Sequence, residues 1–228
     1  MRDIYVSGEY LKNNEDWHAS RAGWKAGHVI RGLEAVGVKP ATLCDIGCGT
    51  ALTLNAVASH FGLSHAVGFE PSSDAPVHPE TQAIVERRQM GVEATSDHFD
   101  VALMLDVFEH VEDYYGFIRS SGRVADHVVF HIPLDANLVT LVKSGFMGPR
   151  DRIGHLHYYT PETALATLRD CGFKVLHWHF TKAGWDGPDR NPNSPLNLVR
   201  RLLFALSPKL QQRLTGGLAL LAVTRSPA

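Results

Sequence analysis

The sequence contains few cysteines and begins without a long apolar run. Its three cysteines, Cys44, Cys48 and Cys171, are an odd number and too few for the disulfide framework of a small secreted protein. The N-terminal residues also lack the apolar core of a signal peptide. Both absences favour a reducing compartment, and we expect the protein in the cytoplasm.

The chain also lacks the features of membrane-spanning and nucleic-acid-binding proteins. No stretch approaches the roughly 18 consecutive apolar residues of a spanning helix, so only peripheral membrane contact stays open. The 22 Lys and Arg against 24 Asp and Glu give a net charge of −2, without the basic excess typical of nucleic-acid binding. We therefore expect a small-molecule substrate and no nucleic-acid partner, while the sequence does not indicate an oligomeric state.

What is present is the composition of one globular domain. The 228 residues, 44% hydrophobic and 20% charged, lie close to the averages of single domains. Predicted strands and helices alternate along the chain, which favours an open, doubly wound α/β sheet. We predict one domain over 1–228, with an N-terminal helical lid over about 1–37 and an insertion over about 184–215 before the last strand.

The predicted elements come from apolar periodicity and turn residues. Apolar runs predict strands ending at Asp45, Glu70, Asp106 and Pro133, an alternating strand over 173–180 and a closing strand over 217–226. Helical spacing predicts an amphipathic helix over 16–36. In the irregular stretch after Glu70, we expect a helix around Glu80 to Met90 and an edge strand near Val92 to Thr95.

A glycine turn follows the first predicted strand, in the segment Asp45-Ile46-Gly47-Cys48-Gly49-Thr50. Gly47 and Gly49 allow the backbone to approach a ligand closely, and the following helix presents free N–H groups. Ligands of open parallel sheets bind beyond the carboxyl ends of the strands, where Asp45, Glu70 and Asp106 all stand. This edge of the sheet is therefore the candidate site.

The acids at this edge indicate the class of ligand. A dinucleotide fingerprint requires a third glycine where this chain has Leu52. Asp45 would repel a pyrophosphate but attract an ammonium group. Glu70 follows Gly49 by 21 residues, at a position where a carboxylate can accept hydrogen bonds from ribose hydroxyls. A nucleoside that carries an amino acid fits best, and an NAD-dependent oxidoreductase or epimerase is the alternative.

Together these motifs resemble those of class I S-adenosylmethionine-dependent methyltransferases, in particular the small-molecule type 11, 12 and 23 groups. The resemblance rests on the glycine loop, on Glu70 in GFEP, on the segment FDVALMLDVFEHV over 99–111 and on HLHYYTPETALATLRDCGFKV over 155–175. It spans roughly residues 24–180. It implies a Rossmann-like, mostly parallel seven-stranded sheet flanked by helices, with S-adenosylmethionine as the cofactor. Ala51 departs from the pattern, because many relatives carry a third glycine there.

The resemblance also implies roles for individual residues. The cofactor-binding residues are Asp45, Gly47, Cys48, Gly49, Glu70, Pro71, Asp106 and Val107, with Asp97, or else Thr95, as the residue that contacts the adenine. The resemblance also gives His110 as a candidate catalytic residue, although a packing role suits His110 equally well. His155 and His157 in GHLHYYT are candidates for the acceptor pocket on the chemistry of histidine, and His157 is the second candidate catalytic residue. No metal site is expected, since His177 and His179 share one face of a strand without an evident third ligand.

Methyl transfer from a sulfonium is an in-line displacement and requires no covalent nucleophile. The protein has to align the acceptor, exclude water and, where necessary, remove a proton. We expect the lid, residues 134–159 and the insertion to enclose the acceptor. A non-catalytic adaptor that binds S-adenosylmethionine is a further alternative. Within the insertion, leucines beside Arg200 and Arg201 predict either a solvated helix or one that docks on lipid or an apolar substrate.

Overall fold

One seven-stranded sheet organises the described part of the chain. The computed structural model describes residues 16–227, so residues 1–15 of the predicted lid lie outside the described residues. Within this range the strand order is β3-β2-β1-β4-β5-β7-β6. The strands are β1 (Leu43–Ile46), β2 (Ala66–Phe69), β3 (Val85–Arg88), β4 (Phe99–Leu105), β5 (Ala125–Pro133), β6 (Lys174–Thr181) and β7 (Ala219–Arg225).

The sheet is mostly parallel and changes winding direction next to β1. Neighbouring strands run parallel from β3 across to β5, whereas β7 is antiparallel to both β5 and β6. Strands β2 and β4 lie on opposite sides of β1, which makes the gap between β1 and β4 the switch point of the sheet. Ligands of such sheets bind in the crevice at this point. The predicted fold class is confirmed.

Helices cover both faces of the sheet. In the described range they are α1 (Ala22–Ala35), α2 (Leu52–His60), α3 (Tyr114–Val124), α4 (Leu138–Ser144), α5 (Met147–Ile153), α6 (Pro161–Asp170), α7 (Pro195–Leu206) and α8 (Pro208–Thr215). Leu33 and Leu54 of α1 and α2 belong to one buried apolar cluster, and Ile118 of α3 belongs to another. Strand β4 contributes Leu103 to the first cluster and Met104 to the second. A strand that is apolar on both faces belongs in such a covered sheet.

The segment between Glu70 and Phe99 differs from the predictions. The helix expected around Glu80 to Met90 is wrong, because a 3-10 turn at Pro79–Thr81 is followed by the edge strand β3. The edge strand expected near Val92 to Thr95 is wrong as well, since Val92–Ala94 forms a 3-10 turn. Strand β3 consists of one valine and three charged residues. Charged side chains protect the open edge of a sheet from pairing with other chains. In β3 they replace the alternating apolar and polar residues from which a strand is predicted in the sequence.

Two helical segments are shorter than their periodicity predicts. The helix expected over 16–36 begins at Ala22, after a turn in which the Asp16 carboxylate accepts hydrogen bonds from the backbone of His18 and Ser20. The insertion contains α7 and α8 as separate helices, because Ser207 is extended and caps α8. No helix in residues 16–227 is long and apolar enough to cross a membrane.

Candidate cofactor and acceptor site

A large cleft opens beyond the carboxyl ends of β1, β2 and β4. It encloses about 2080 Å³ and is lined by the glycine loop, by the N-terminal segment from Asp16 to Lys25, by residues 149–156 and by parts of the insertion. Pockets for one drug-sized ligand measure about 300–1,000 Å³. The cleft therefore has room for a cofactor and a second ligand side by side.

The glycine loop forms one wall of this cleft. Gly47 and Gly49 have φ angles of 74° and 50°, which side chains rarely adopt. A Cβ at Gly47 would lie 2.8 Å from Val107 Cγ2, and one at Gly49 would lie 2.8 Å from Trp17 Cδ1. Both positions therefore require glycine, and the Trp17 indole lies directly over the loop.

Glu70 connects the end of β2 to the glycine loop. Its Oε2 accepts a hydrogen bond from the Gly49 N–H at 3.0 Å, and its Oε1 accepts one from the Ser72 N–H at 2.9 Å. The residue is 8% exposed and lines the cleft. A carboxylate can accept about four hydrogen bonds, so Glu70 retains acceptor capacity for a ligand.

Asp45 is a buried acid whose side chain is only partly satisfied. It is 3% exposed and lines the cleft, and its Oδ1 has no hydrogen-bond partner among residues 16–227. Burial, with a smaller contribution from Glu70, raises the pKa of Asp45 to about 8, although nearby Lys25 opposes the shift. A buried carboxylate without a partner is costly, and a cationic ligand would relieve that cost.

Asp106 is held by two basic side chains. Its Oδ2 lies 2.8 Å from Lys25 Nζ, and its Oδ1 lies 2.6 Å from His131 Nδ1. The other nitrogen of His131 bonds to the Thr181 hydroxyl at 2.8 Å. Burial alone would raise the pKa of Asp106, but the charges of His131 and Lys25 hold it well below its usual range. Asp106 also has a φ of 60°, an uncommon backbone conformation that often accompanies a functional site.

A second polar group faces the cleft from the turn after β4. This 3-10 turn, Phe108–His110, places His110 in the lining, where its ring meets that of His155 edge to face with centroids 4.8 Å apart. Burial, and then the charge of His155, lower the pKa of His110 to about 3. His110 is therefore a neutral imidazole at physiological pH.

Comparison with known protein families shows the family to which the chain belongs. A family model described as a methyltransferase domain matches residues 21–178, more than half of the sequence. The chain belongs to this methyltransferase family. It is a class I enzyme whose cofactor is S-adenosylmethionine, as the resemblance implied. This finding removes the alternative of an NAD-dependent oxidoreductase, and no curated protein sequence matches the chain significantly.

Solved structures share the fold of the methyltransferase at low sequence identity. The magnesium protoporphyrin IX methyltransferase of Synechocystis PCC 6803, crystallised with S-adenosylhomocysteine, has a TM-score of 0.60 and 17% identity over 93% of this chain and 86% of its own. The mycolic acid cyclopropane synthase CmaA1, also bound to S-adenosylhomocysteine, has a TM-score of 0.59 and 16% identity over 88% and 83%. A complex between the Haloferax volcanii Trm112 methyltransferase activator and a methyltransferase has a TM-score of 0.63 and 13% identity over 97% and 96%.

Most residues predicted for the site of the methyltransferase line the same cleft. These are Asp45, Gly47, Cys48, Gly49, Glu70, Pro71, Asp106, Val107 and His110. The side chain of Asp106, however, is already engaged by Lys25 and His131, which the sequence did not indicate.

Asp97 and His157 do not line the cleft. Asp97 forms an ion pair with Arg88 of β3, and Met90, Gly91 and Val92 line the cleft instead. A contact of Asp97 with the adenine stays a prediction, and the position of this residue outside the cleft does not favour it. His157 Nε2 donates to the backbone oxygen of Val111 at 2.9 Å. His155, two residues earlier, lines the cleft instead.

Sequence reasoning missed several residues that the fold brings to the cleft. His131 lies in the apolar segment that predicts the strand ending at Pro133. Glu109 lies in the apolar segment FDVALMLDVFEHV. Glu109 is completely buried beside the two cleft histidines. A charged residue inside an apolar pattern was the available signal, because a buried charge needs a partner.

Proposed function

We propose that this methyltransferase transfers the methyl group of S-adenosylmethionine to a small-molecule acceptor bound in the cleft. The observation that supports this is the size of the cleft, about 2080 Å³, in direct continuity with the glycine loop and its acids. A single nucleoside cofactor does not need that volume. The remaining space lies between the N-terminal segment, residues 149–156 and the insertion.

The residues present fit the cofactor. Asp45 offers a buried, incompletely satisfied carboxylate to the ammonium of the methionine part. Glu70 offers its remaining acceptor sites to the ribose hydroxyls, and Gly47 and Gly49 leave space for close approach. When bound, S-adenosylmethionine supplies an electrophilic methyl group on a sulfonium. The protein aligns the acceptor with that group and excludes water.

The lid and the insertion together form the cover of the cleft. Arg21 Nε, just before α1, lies 2.7 Å from Asp189 Oδ1, and another nitrogen of Arg21 donates to the Ala183 oxygen at 2.9 Å. These contacts join the N-terminal segment to the start of the insertion, and all three residues line the cleft. Such a cover would exclude water from the displacement.

Radiolabelled S-adenosylmethionine tests this function. Purified protein is incubated with the cofactor and a panel of small hydroxyl, amine, thiol and carboxyl compounds, and label in the small-molecule fraction is measured. Transfer to one compound class, lost in Gly49→Ala, supports the proposal. Cofactor binding without transfer to any compound favours the non-catalytic adaptor.

The three cysteines are free and buried, and a cytoplasmic location stays our prediction.

A further inference from the structure

A buried carboxylate next to the cleft lacks the partners that it needs. Glu109 is 0% exposed, and neither of its carboxylate oxygens has a hydrogen-bond partner within residues 16–227. Burial and the nearby charge of Asp106 raise the pKa of Glu109 well above its usual range. An unsatisfied buried group of this kind requires an explanation, and a role as a ligand of a cation is one.

Two histidines stand around this carboxylate at distances too long for hydrogen bonds. Glu109 Oε1 is 3.8 Å from His110 Nε2 and 3.9 Å from His155 Nε2. One ligand atom from each of the three residues lies within 4.8 Å of the others. With metal–ligand bonds of about 2.0–2.2 Å, two ligands of one tetrahedral ion are about 3.3 Å apart. Small side-chain rotations would therefore let one ion bridge all three.

The surroundings already orient these residues. His155 Nδ1 lies 2.6 Å from Asp135 Oδ2, which leaves Nε2 directed towards Glu109. A carboxylate behind the second nitrogen is the usual arrangement around a metal-binding histidine. The backbone N–H of Leu156 also donates to the backbone carbonyl oxygen of Glu109 at 2.8 Å, which fixes the two segments against each other.

We propose that Glu109, His110 and His155 bind one divalent first-row metal ion such as Zn²⁺. Two imidazoles and one carboxylate are a donor set of catalytic zinc sites, whereas Mg²⁺ and Ca²⁺ prefer oxygen ligands. His110 and His155 both line the cleft, so the open coordination positions face the acceptor.

The role of this ion rests on the proposed function. An ion at this place would bind an oxygen atom of the acceptor and lower the pKa of its hydroxyl. The hydroxyl would lose its proton to solvent, its oxygen would form a bond to the methyl carbon, and the carbon–sulfur bond would break with the electron pair left on sulfur. His110 and His155 would then act as ligands rather than as general bases.

Cobalt provides the direct test. Full-length protein is freed of metal with a chelator and titrated with Co²⁺ while visible absorption is recorded, and Zn²⁺ affinity is measured by competition. We expect one Co²⁺ per chain with a spectrum typical of low coordination number. His155→Ala should weaken the affinity roughly tenfold or more, and Asp135→Asn should weaken it by about 10–100-fold.

The control has to account for the other histidines of the chain, which number 13 in total. The double variant His177→Ala, His179→Ala removes a pair with ring nitrogens 3.3 Å apart and should leave the cobalt spectrum unchanged. Equal affinity in His155→Ala, or no stoichiometric uptake by the parent protein, overturns the metal site. S-adenosylhomocysteine binding is measured in parallel with and without metal, and failure to bind in both states would count against the proposed function instead.

Many large apolar side chains are exposed on the helices around the cleft. Eleven large hydrophobic residues of the described range are exposed, and ten of them lie in α4, α5, α7 and α8. The ten are Leu138, Leu141, Val142, Met147, Leu196, Leu198, Val199, Leu202, Leu206 and Leu210. Residues of all four helices also line the cleft. We call these exposed residues the apolar surface.

The charges of α7 and α8, which carry most of the apolar surface, have one sign. Residues 195–215 contain four Lys or Arg and no Asp or Glu, although the whole chain has a net charge of −2. Arg201 and Lys209 are exposed, and so is Lys143 in α4. Arg200 is the exception, because it turns inward and donates to the Thr215 oxygen. Apolar side chains with exposed basic residues are typical of helices that dock on anionic lipid.

From this charge pattern we infer that the apolar surface docks on an anionic lipid membrane. Sedimentation with phosphatidylcholine vesicles, with and without one third phosphatidylglycerol, tests the inference. Binding should require the anionic lipid and fall with added salt. Leu202→Glu with Leu206→Glu should reduce binding at least about tenfold, whereas Val77→Glu, at the eleventh exposed residue, should leave it unchanged. Equal binding by both variants, or self-association of the chain without vesicle binding, overturns it.

Discussion

The Lys25 ammonium lies 2.8 Å from the Asp106 carboxylate and joins helix α1 to the end of β4. This ion pair connects the predicted lid to the acid that the family resemblance places beside the methionine part of the cofactor. His131 holds the other oxygen of the same carboxylate at 2.6 Å. Asp106 therefore links α1 of the predicted lid to β5 at the edge of the cleft.

Replacement of Lys25 should destabilise the fold. Lys25→Met leaves one oxygen of a largely buried carboxylate without its partner, which costs about 1–3 kcal/mol at this degree of exposure. Thermal unfolding followed by circular dichroism measures the change, with the exposed Lys39→Met as a control. Equal melting temperatures of Lys25→Met and the control would show that the ion pair contributes nothing.

Substitution at Gly49 should remove cofactor binding and lower stability. A Cβ at Gly49 meets the Trp17 ring at 2.8 Å, and the φ of 50° adds strain. Gly49→Ala should therefore abolish detectable binding of S-adenosylhomocysteine. Gly27→Ala is the matched control, because its Cβ has no neighbour within 4 Å and alanine favours a helix by roughly 0.5–1 kcal/mol. Normal binding by Gly49→Ala would contradict the position of the cofactor.

Glu70 should contribute to affinity through the ribose. Glu70→Ala is expected to weaken binding by on the order of 1–3 kcal/mol, or about 5–160-fold. Part of that loss comes from the Gly49 and Ser72 N–H groups, which the carboxylate also satisfies. Calorimetry compares this variant with the exposed Glu80→Ala. Should the two variants bind equally well, Glu70 is not a ligand of the cofactor.

Cofactor binding should release a proton from Asp45. With a pKa of about 8, this carboxyl is mostly protonated at pH 7, and the cationic ammonium favours its ionised form. Both pH 6 and pH 7 lie below that pKa, so raising the pH from 6 to 7 should increase the affinity for the cofactor by up to about tenfold. Binding enthalpies in two buffers of different ionisation enthalpy report nearly one proton released.

The matched variants for this proton are Asp45→Asn and the exposed Asp170→Asn. The first should abolish the buffer dependence of the enthalpy and flatten the rise in affinity with pH. The second should behave as the parent protein. Proton release that persists in Asp45→Asn would assign the titrating group to another residue.

The central strands and the glycine loop were predictable because their physical constraints are local. Strands β1, β2 and β4 are buried on both faces, and the acids at their carboxyl ends had to emerge at the same edge of a parallel sheet. Asp45, Glu70 and Asp106 were found in this way. Strand β3 was not found, since three of its four residues are charged. Nothing in the sequence indicated that Asp97 pairs with Arg88 of this strand and lies outside the cleft.

The partners of the acids could not be predicted, because they come from distant parts of the chain. Lys25 and His131 meet Asp106 from a helix and from a strand that are separated by about a hundred residues. His155 and His157 have equal claims in the sequence, and only the backbone bonds to Glu109 decide which of them faces the cleft. Periodicity assigns a residue to a face, whereas such contacts depend on the packing of whole elements.

Equilibrium dialysis of radiolabelled S-adenosylmethionine against the purified, ligand-free protein tests the central claim most directly. The account predicts one molecule bound per chain at saturation, displaced by unlabelled S-adenosylhomocysteine and not by NAD. No retained label at cofactor concentrations up to the millimolar range would contradict it.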